Sequence, residues 1–179
     1  MSSNAPTLDS TTVRTPMGIL AVIADHGVVV AAGFAPVEAM AGRLAPELAA
    51  RGLRQRADLG PLTTAVRRYL DGKVEALDEV EVRQPGGEFT QEVWRVMREI
   101  PAGQTWTYSE LATKAGRSAA VRAVGNACAR NLVAPFVPCH RVLRTDGTLG
   151  GYYYGLDVKR ALLAHESAAA RSVVAQAAR

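Results

Sequence analysis

Residues 137–142 read VPCHRV, which sets a thiol and an imidazole side by side behind a proline. A cysteine is an effective nucleophile only as thiolate, and its free pKa of ~8.5 must be lowered by a neighbouring base or positive charge. Successive side chains of an extended segment face opposite ways, so His140 is expected to reach Cys139 through a bridging water. The imidazole then needs an acceptor on its other nitrogen to fix its tautomer, and Glu166 is the carboxylate expected to supply it. Pro138 biases Val137 towards an extended backbone and removes one donor beside the thiol. Free cysteines are also common as inert packing. The adjacent pair alone therefore leaves nucleophile, hydrolase and buried core residue all open.

The elements that must position this stretch are legible in outline. Residues 18–34 form two apolar runs around Asp25-His26-Gly27, the pattern of a β-hairpin. Residues 37–52 are helix-like but broken by Pro46, and PLTTAVRRYLDG opens on Pro61 and closes on Gly72 as a short helix does. VEALDEVEVR (74–83) suggests a strand before the Pro-Gly-Gly break at 85–87, where a domain boundary is placed. Beyond it FTQEVWRVMREI carries apolar residues at 89, 93, 96, 97 and 100, one face of a helix. Thr107 with Glu110 three residues on forms a capping box that starts the next helix. A further helix is expected to begin near Ser118, so that the two make a helix-turn-helix outline around Gly116. That second helix is rich in alanine and glycine, including Ala119, Ala123 and Gly125, with Arg122 projecting from among them. Small side chains cannot read base edges, yet they let a helix approach a surface closely.

The bulk composition excludes some classes. At 179 residues, 48% hydrophobic and 21% charged, the chain can bury a sizeable core, and its apolar runs are too short for a membrane span. The first ten residues lack the features of a signal peptide, so a cytoplasmic location is the expectation. A net charge of +4 is compatible with a polyanionic partner without requiring one. Two cysteines, Cys128 and Cys139, fit neither a disulfide framework nor a zinc pattern.

Taken together, TYSELA (107–112), RAVGNA (122–127), Asn131, PCHRV (138–142), GY (151–152) and LLAHE (162–166) resemble the methylated-DNA–protein-cysteine methyltransferases, also called O6-alkylguanine-DNA alkyltransferases, in order and spacing. The resemblance implies repair of O6-alkylguanine, and of O4-alkylthymine, by a single irreversible transfer to Cys139. It implies that His140 acts as base through water, that Glu166 orients the histidine, and that Asn131 holds the turn before the thiol. Tyr108 would crowd the phosphate of the target nucleotide and help protonate the departing guanine. Double-stranded DNA would be bound in its minor groove, independently of sequence and by a monomer. The helix bearing Ala119, Ala123 and Gly125 would enter the groove, and Arg122 would fill the gap left by the everted base. Tyr152, Tyr154, Lys159 and Val142 would form the pocket, with Lys159 near the thiol. No metal and no cofactor is implied, and the zinc site of some members has no counterpart because residues 1–88 contain no cysteine.

The fold implied is α/β: an N-terminal ribonuclease-H-like small sheet with helices, then a mostly helical, winged-helix-like DNA-binding domain. The expected boundaries are a disordered lead-in over 1–12, the first domain over 13–87, the second over 88–166 and a tail over 167–179. Tyr154, bulky where many relatives carry smaller residues, predicts a tight pocket that favours methyl over benzyl groups. Cys128 is expected to be a buried small hydrophobe lining the pocket, and His26 and His165 to be exposed.

Overall fold

The computed structural model describes residues 6–178. Strand β1 (Leu8–Thr15) turns back into β2 (Gly18–Asp25), with Val13 opposite Leu20, and β2 pairs antiparallel with β3 (Val28–Gly33). The β2–β3 connection is the hairpin read from the sequence. His26 and Gly27 both take positive φ, 49° and 85°, as a two-residue turn with matching twist requires. A short β4 (Leu53–Gln55) adds parallel to β1, giving the order β3-β2-β1-β4. Two brief helices precede it, α1 (Val37–Ala41) and α2 (Pro46–Ala49), the second opening on Pro46, whose ring ends one helix and starts the next. Helix α3 (Pro61–Leu70) follows.

The second half holds α4 (Glu88–Met97), α5 (Tyr108–Lys114), α6 (Val121–Arg130) and α7 (Leu156–Ala177). Two-residue strands β5 (Trp106–Thr107) and β6 (Val142–Leu143) pair in parallel. Thr107 caps α5 through the reciprocal bonds of the capping box, at 3.1 and 2.6 Å. The architecture is thus the expected α/β arrangement, a small N-terminal sheet followed by a helical half. Among the described residues no helix is long and apolar enough to cross a membrane.

Four boundaries differ from the sequence reading. β1 begins at Leu8, inside the segment expected to be disordered; Leu8 is fully buried and registers against Leu53, and this pairing orders the segment. Residues 1–5 of that lead-in lie outside the described residues. The expected strand at 74–83 is a 3-10 turn (Val74–Leu77) and one bridge, Val82 to Val29, because Pro85 and the glycines after it leave no ladder to continue. Helix α6 starts at Val121, so Ala119 sits in the preceding turn. The tail is the continuation of α7. Its alanines favour helix, and a Cβ on Gly103 would stand 2.9 Å from that of Ala170, so the turn at 101–104 covers the helix past Glu166.

One core crosses the expected domain boundary. Leu20 and Val22 of β2, Val66 and Tyr69 of α3, Trp94 and Met97 of α4, Leu111 of α5, Val124 of α6 and Leu162 of α7 pack in a single cluster. The opposite sheet face packs Ala21, Ile23 and Val30 against Met40, Leu44 and Leu132.

Candidate active site

Cys139 opens a single 3-10 turn (Cys139–Arg141), so the segment is not extended at the thiol. The turn swings His140 and Arg141 inward, where both are buried. His140 Nε2 lies 2.8 Å from Glu166 Oε1 on α7. Arg141 grips the same carboxylate with Nε and Nη2, each at 2.9 Å, and donates Nη1 to the Ile100 carbonyl at 2.6 Å. The Tyr69 hydroxyl donates to Glu166 Oε1 at 2.9 Å. Burial alone would raise the Glu166 carboxyl, but the His140 and Arg141 charges and hydrogen bonds outweigh it and hold it far below the usual carboxylate range. Glu166 is therefore an anion that only accepts, so the proton of His140 resides on Nε2. Nδ1 is left as the basic nitrogen, and it has no hydrogen-bond partner in the protein among the described residues. Burial holds His140 below its usual pKa, against the pull of Glu166, and so keeps the ring neutral.

Asn131, which ends α6, supports the thiol. Its Nδ2 donates to the Val137 carbonyl at 2.7 Å and to Cys139 Sγ at 3.2 Å. Its Oδ1 accepts from Gln84 Nε2 at 3.1 Å and from the Val133 amide at 3.2 Å, and Gln84 Oε1 accepts from the Leu132 amide at 2.7 Å. Burial pushes the Cys139 thiol up, opposed by the Asn131 hydrogen bond and the charges of Lys159 and Arg43. The site thus holds a neutral thiol beside a neutral imidazole.

The thiol lies in a cavity of about 310 Å³ lined by Tyr108, Gly125, Cys128, Ala129, Cys139, Gly151, Tyr152 and Tyr153. Small residues of α6 form one wall, and Tyr108, the first residue of α5, faces it. Burial, with the two cysteines nearby, raises the Tyr108 phenol to about 12, so it stays protonated at neutral pH. Cys128 lines the wall, with a thiol pushed well up by burial. The outer face of α6 exposes Arg122 and Ala123.

Three expected pocket residues stand elsewhere. Tyr154 is turned into the N-terminal half, where its hydroxyl accepts from Arg43 at 3.1 Å and abuts Gly33, a position with no side chain to obstruct it. Tyr153, 62% exposed, lines the cavity in its place, which removes the basis for the methyl-over-benzyl expectation. Val142 is fully buried in β6 opposite Trp106, because pairing turns its side chain into the core. Lys159 is buried and absent from the cavity lining, donating to the carbonyls of Val142 at 2.8 Å and of Leu149, while its charge still favours the Cys139 thiolate. His165 is not exposed either: its Nε2 donates to the Tyr69 carbonyl at 2.8 Å.

Sequence reasoning assigned no role to Arg141, Tyr69, Gln84 or Arg43. For Arg141 a signal existed, since an arginine next to a histidine that seeks a buried carboxylate can share it. The other three come from the N-terminal half, up to 111 positions from their partners, with no local pattern to mark them.

Residues 88–168 match the family model described as 6-O-methylguanine DNA methyltransferase, DNA binding domain. A methylated-DNA–protein-cysteine methyltransferase from Methanosarcina barkeri is 37% identical over 131 residues, 73% of this chain and 82% of its own length. The crystal structure of Mycobacterium tuberculosis O6-methylguanine methyltransferase superposes with a TM-score of 0.74 at 30% identity, covering 90% of this chain and 94% of that one. A structure of the M. tuberculosis enzyme in complex with DNA gives 0.74 at 31% identity, covering 90% and 94%. With the thiol, its buried triad and its cavity arranged as above, the chain belongs to the methylated-DNA–protein-cysteine methyltransferase family.

Proposed function

We propose that the chain repairs O6-alkylguanine in double-stranded DNA, and O4-alkylthymine with it, by moving the alkyl group to Cys139. The observation that carries this reading is a thiol lining a cavity of about 310 Å³, next in sequence to a histidine that is paired with a buried carboxylate. His140 Nδ1 takes the thiol proton through a bridging water, and the imidazolium is stabilised by Glu166. Sulfur attacks the alkyl carbon, the S–C bond forms as the C–O6 bond breaks, and the electron pair passes into the guanine. Tyr108, protonated at neutral pH, donates a hydrogen bond that favours protonation of the leaving base. Donor and acceptor balance as thiol plus alkylated base gives thioether plus guanine. A thioether has no ready hydrolytic exit, so each molecule acts once.

The target base must leave the stack to reach the cavity. The exposed Arg122 and the small face around Ala123 and Gly125 support a minor-groove approach in which Arg122 takes the place of the everted base. Such binding reads shape and phosphate, so it depends little on sequence and steeply on salt. A monomer working in the cytoplasm completes the reading. Intact-mass spectrometry after mixing with a duplex carrying O6-methylguanine tests it. The expected result is one added methyl, located on residue 139 and absent in Cys139→Ser. Retained DNA binding without an adduct would make the protein a lesion binder, and repeated turnover without one would make it a hydrolase.

A further inference from the structure

Tyr69 lies on α3, in the half of the chain remote from the thiol, yet its hydroxyl ends on the carboxylate that orients the base. Three donors converge on Glu166 Oε1: His140 Nε2 at 2.8 Å, Tyr69 Oη at 2.9 Å and Arg141 Nη2 at 2.9 Å. An ionised carboxylate only accepts, so the phenol must be the donor. A phenol with 2% exposure in the middle of the core is costly unless its hydroxyl is satisfied, and phenylalanine would pack there without that demand. The ring is held from α7 itself. His165, next to Glu166, donates to the Tyr69 carbonyl at 2.8 Å, and its ring lies 5.0 Å from the Tyr69 ring. Consecutive residues of one helix thus hold Tyr69 at its backbone and at its hydroxyl.

We propose that Tyr69 is a positioning residue for the alkyl transfer, fixing Glu166 Oε1 and moderating its pull on the His140 proton. This rests on the transfer reading above. The physical reason is competition: a second strong donor on Oε1 withdraws charge from the oxygen that His140 faces. The carboxylate then holds the Nε2 proton without stabilising the imidazolium so far that Nδ1 stays protonated at neutral pH. The charged and titratable groups around the pair are Arg141, Lys159, Asp78, Tyr152 and Cys139, and none of them replaces the phenol's hydrogen bond to Oε1.

The test is Tyr69→Phe, read in two ways. Single-turnover transfer from O6-methylguanine duplex is measured across pH, and the His140 ring nitrogens are titrated by NMR in the DNA-free protein. The expected result is an acid limb displaced to higher pH, with transfer about tenfold slower on that side, in line with loss of a hydrogen bond to a charged group. The His140 titration moves the same way, and lesion-DNA affinity is unchanged. An unaltered pH profile and an unaltered His140 titration, with only a lower melting temperature, would overturn the proposal and make Tyr69 a core residue. If the parent protein transfers no alkyl group, the function reading fails on its own, and the NMR titration still decides whether Tyr69 tunes His140. His165→Gln, which loosens the grip on the Tyr69 backbone while keeping the phenol, is expected to shift the profile in the same direction and by less.

Discussion

Glu166→Gln removes one charge and almost no volume, so it isolates the electrostatics of the buried cluster. In the parent four hydrogen bonds end on this carboxylate, one from His140, one from Tyr69 and two from Arg141. An amide offers one acceptor oxygen and sets its own N–H groups against donors. Arg141, whose side chain is 1% exposed, also loses the charge that balances it. Removing one partner of a buried pair costs about 3–5 kcal/mol, because the other charge remains buried. At about 2–4 °C per kcal/mol for a chain of this length, Tm falls by about 6–20 °C. The effect carries a pH signature. The folded-state pKa of Glu166 lies far below its ordinary value of 4.5, so its contribution is complete above that value and is lost as pH falls through it towards the folded-state value. His140, held below its ordinary 6.5 by burial, adds acid sensitivity of its own, since the unfolded chain takes up that proton first as the pH drops. Urea unfolding of parent and variant at a series of pH values, followed by tryptophan fluorescence, is the assay. The stability gap should be widest near neutrality and close below pH 4.5. Equal midpoints at neutral pH, or a gap that persists undiminished into strong acid, would refute the reasoning.

Three further outcomes are expected. Gly33→Ala drives a methyl into the Tyr154 ring; overpacking of this kind costs about 1–3 kcal/mol, and calorimetry should show the loss largely recovered when Tyr154→Ala is added. Arg43→Ala takes away the guanidinium that lies 4.0 Å over the Tyr153 ring and bonds the Tyr154 oxygen at 3.1 Å. That contact is worth about 0.5–1 kcal/mol, so transfer from lesion duplex should slow about two- to fivefold while the melting temperature stays nearly constant. Arg122→Ala should slow transfer from duplex by about 10- to 100-fold, the scale of an unstacking cost of a few kcal/mol, and leave reaction with free O6-methylguanine base unchanged. Equal losses on both substrates would remove Arg122 from the role of base substitute.

What the sequence determined by itself is what short-range physics dictates. The Pro46 break, the His26-Gly27 turn, the Thr107 capping box and the adjacency of Cys139 and His140 all follow from residues within a few positions of one another. Glu166 was reachable because a histidine base needs an acceptor and its helix supplied one. The tertiary structure decided the rest, because it depends on which groups meet across long separations in a shared core. It brought Tyr69 to Glu166, Gln84 to Asn131 and Arg43 to Tyr153. It also decided which two of three consecutive tyrosines, Tyr152 and Tyr153, line the cavity. Tyr154 is drawn away by the space that Gly33 leaves and by the donor on Arg43, while Tyr153 takes the rim. No local pattern encodes that choice, since it is set by the shape of the opposing surface.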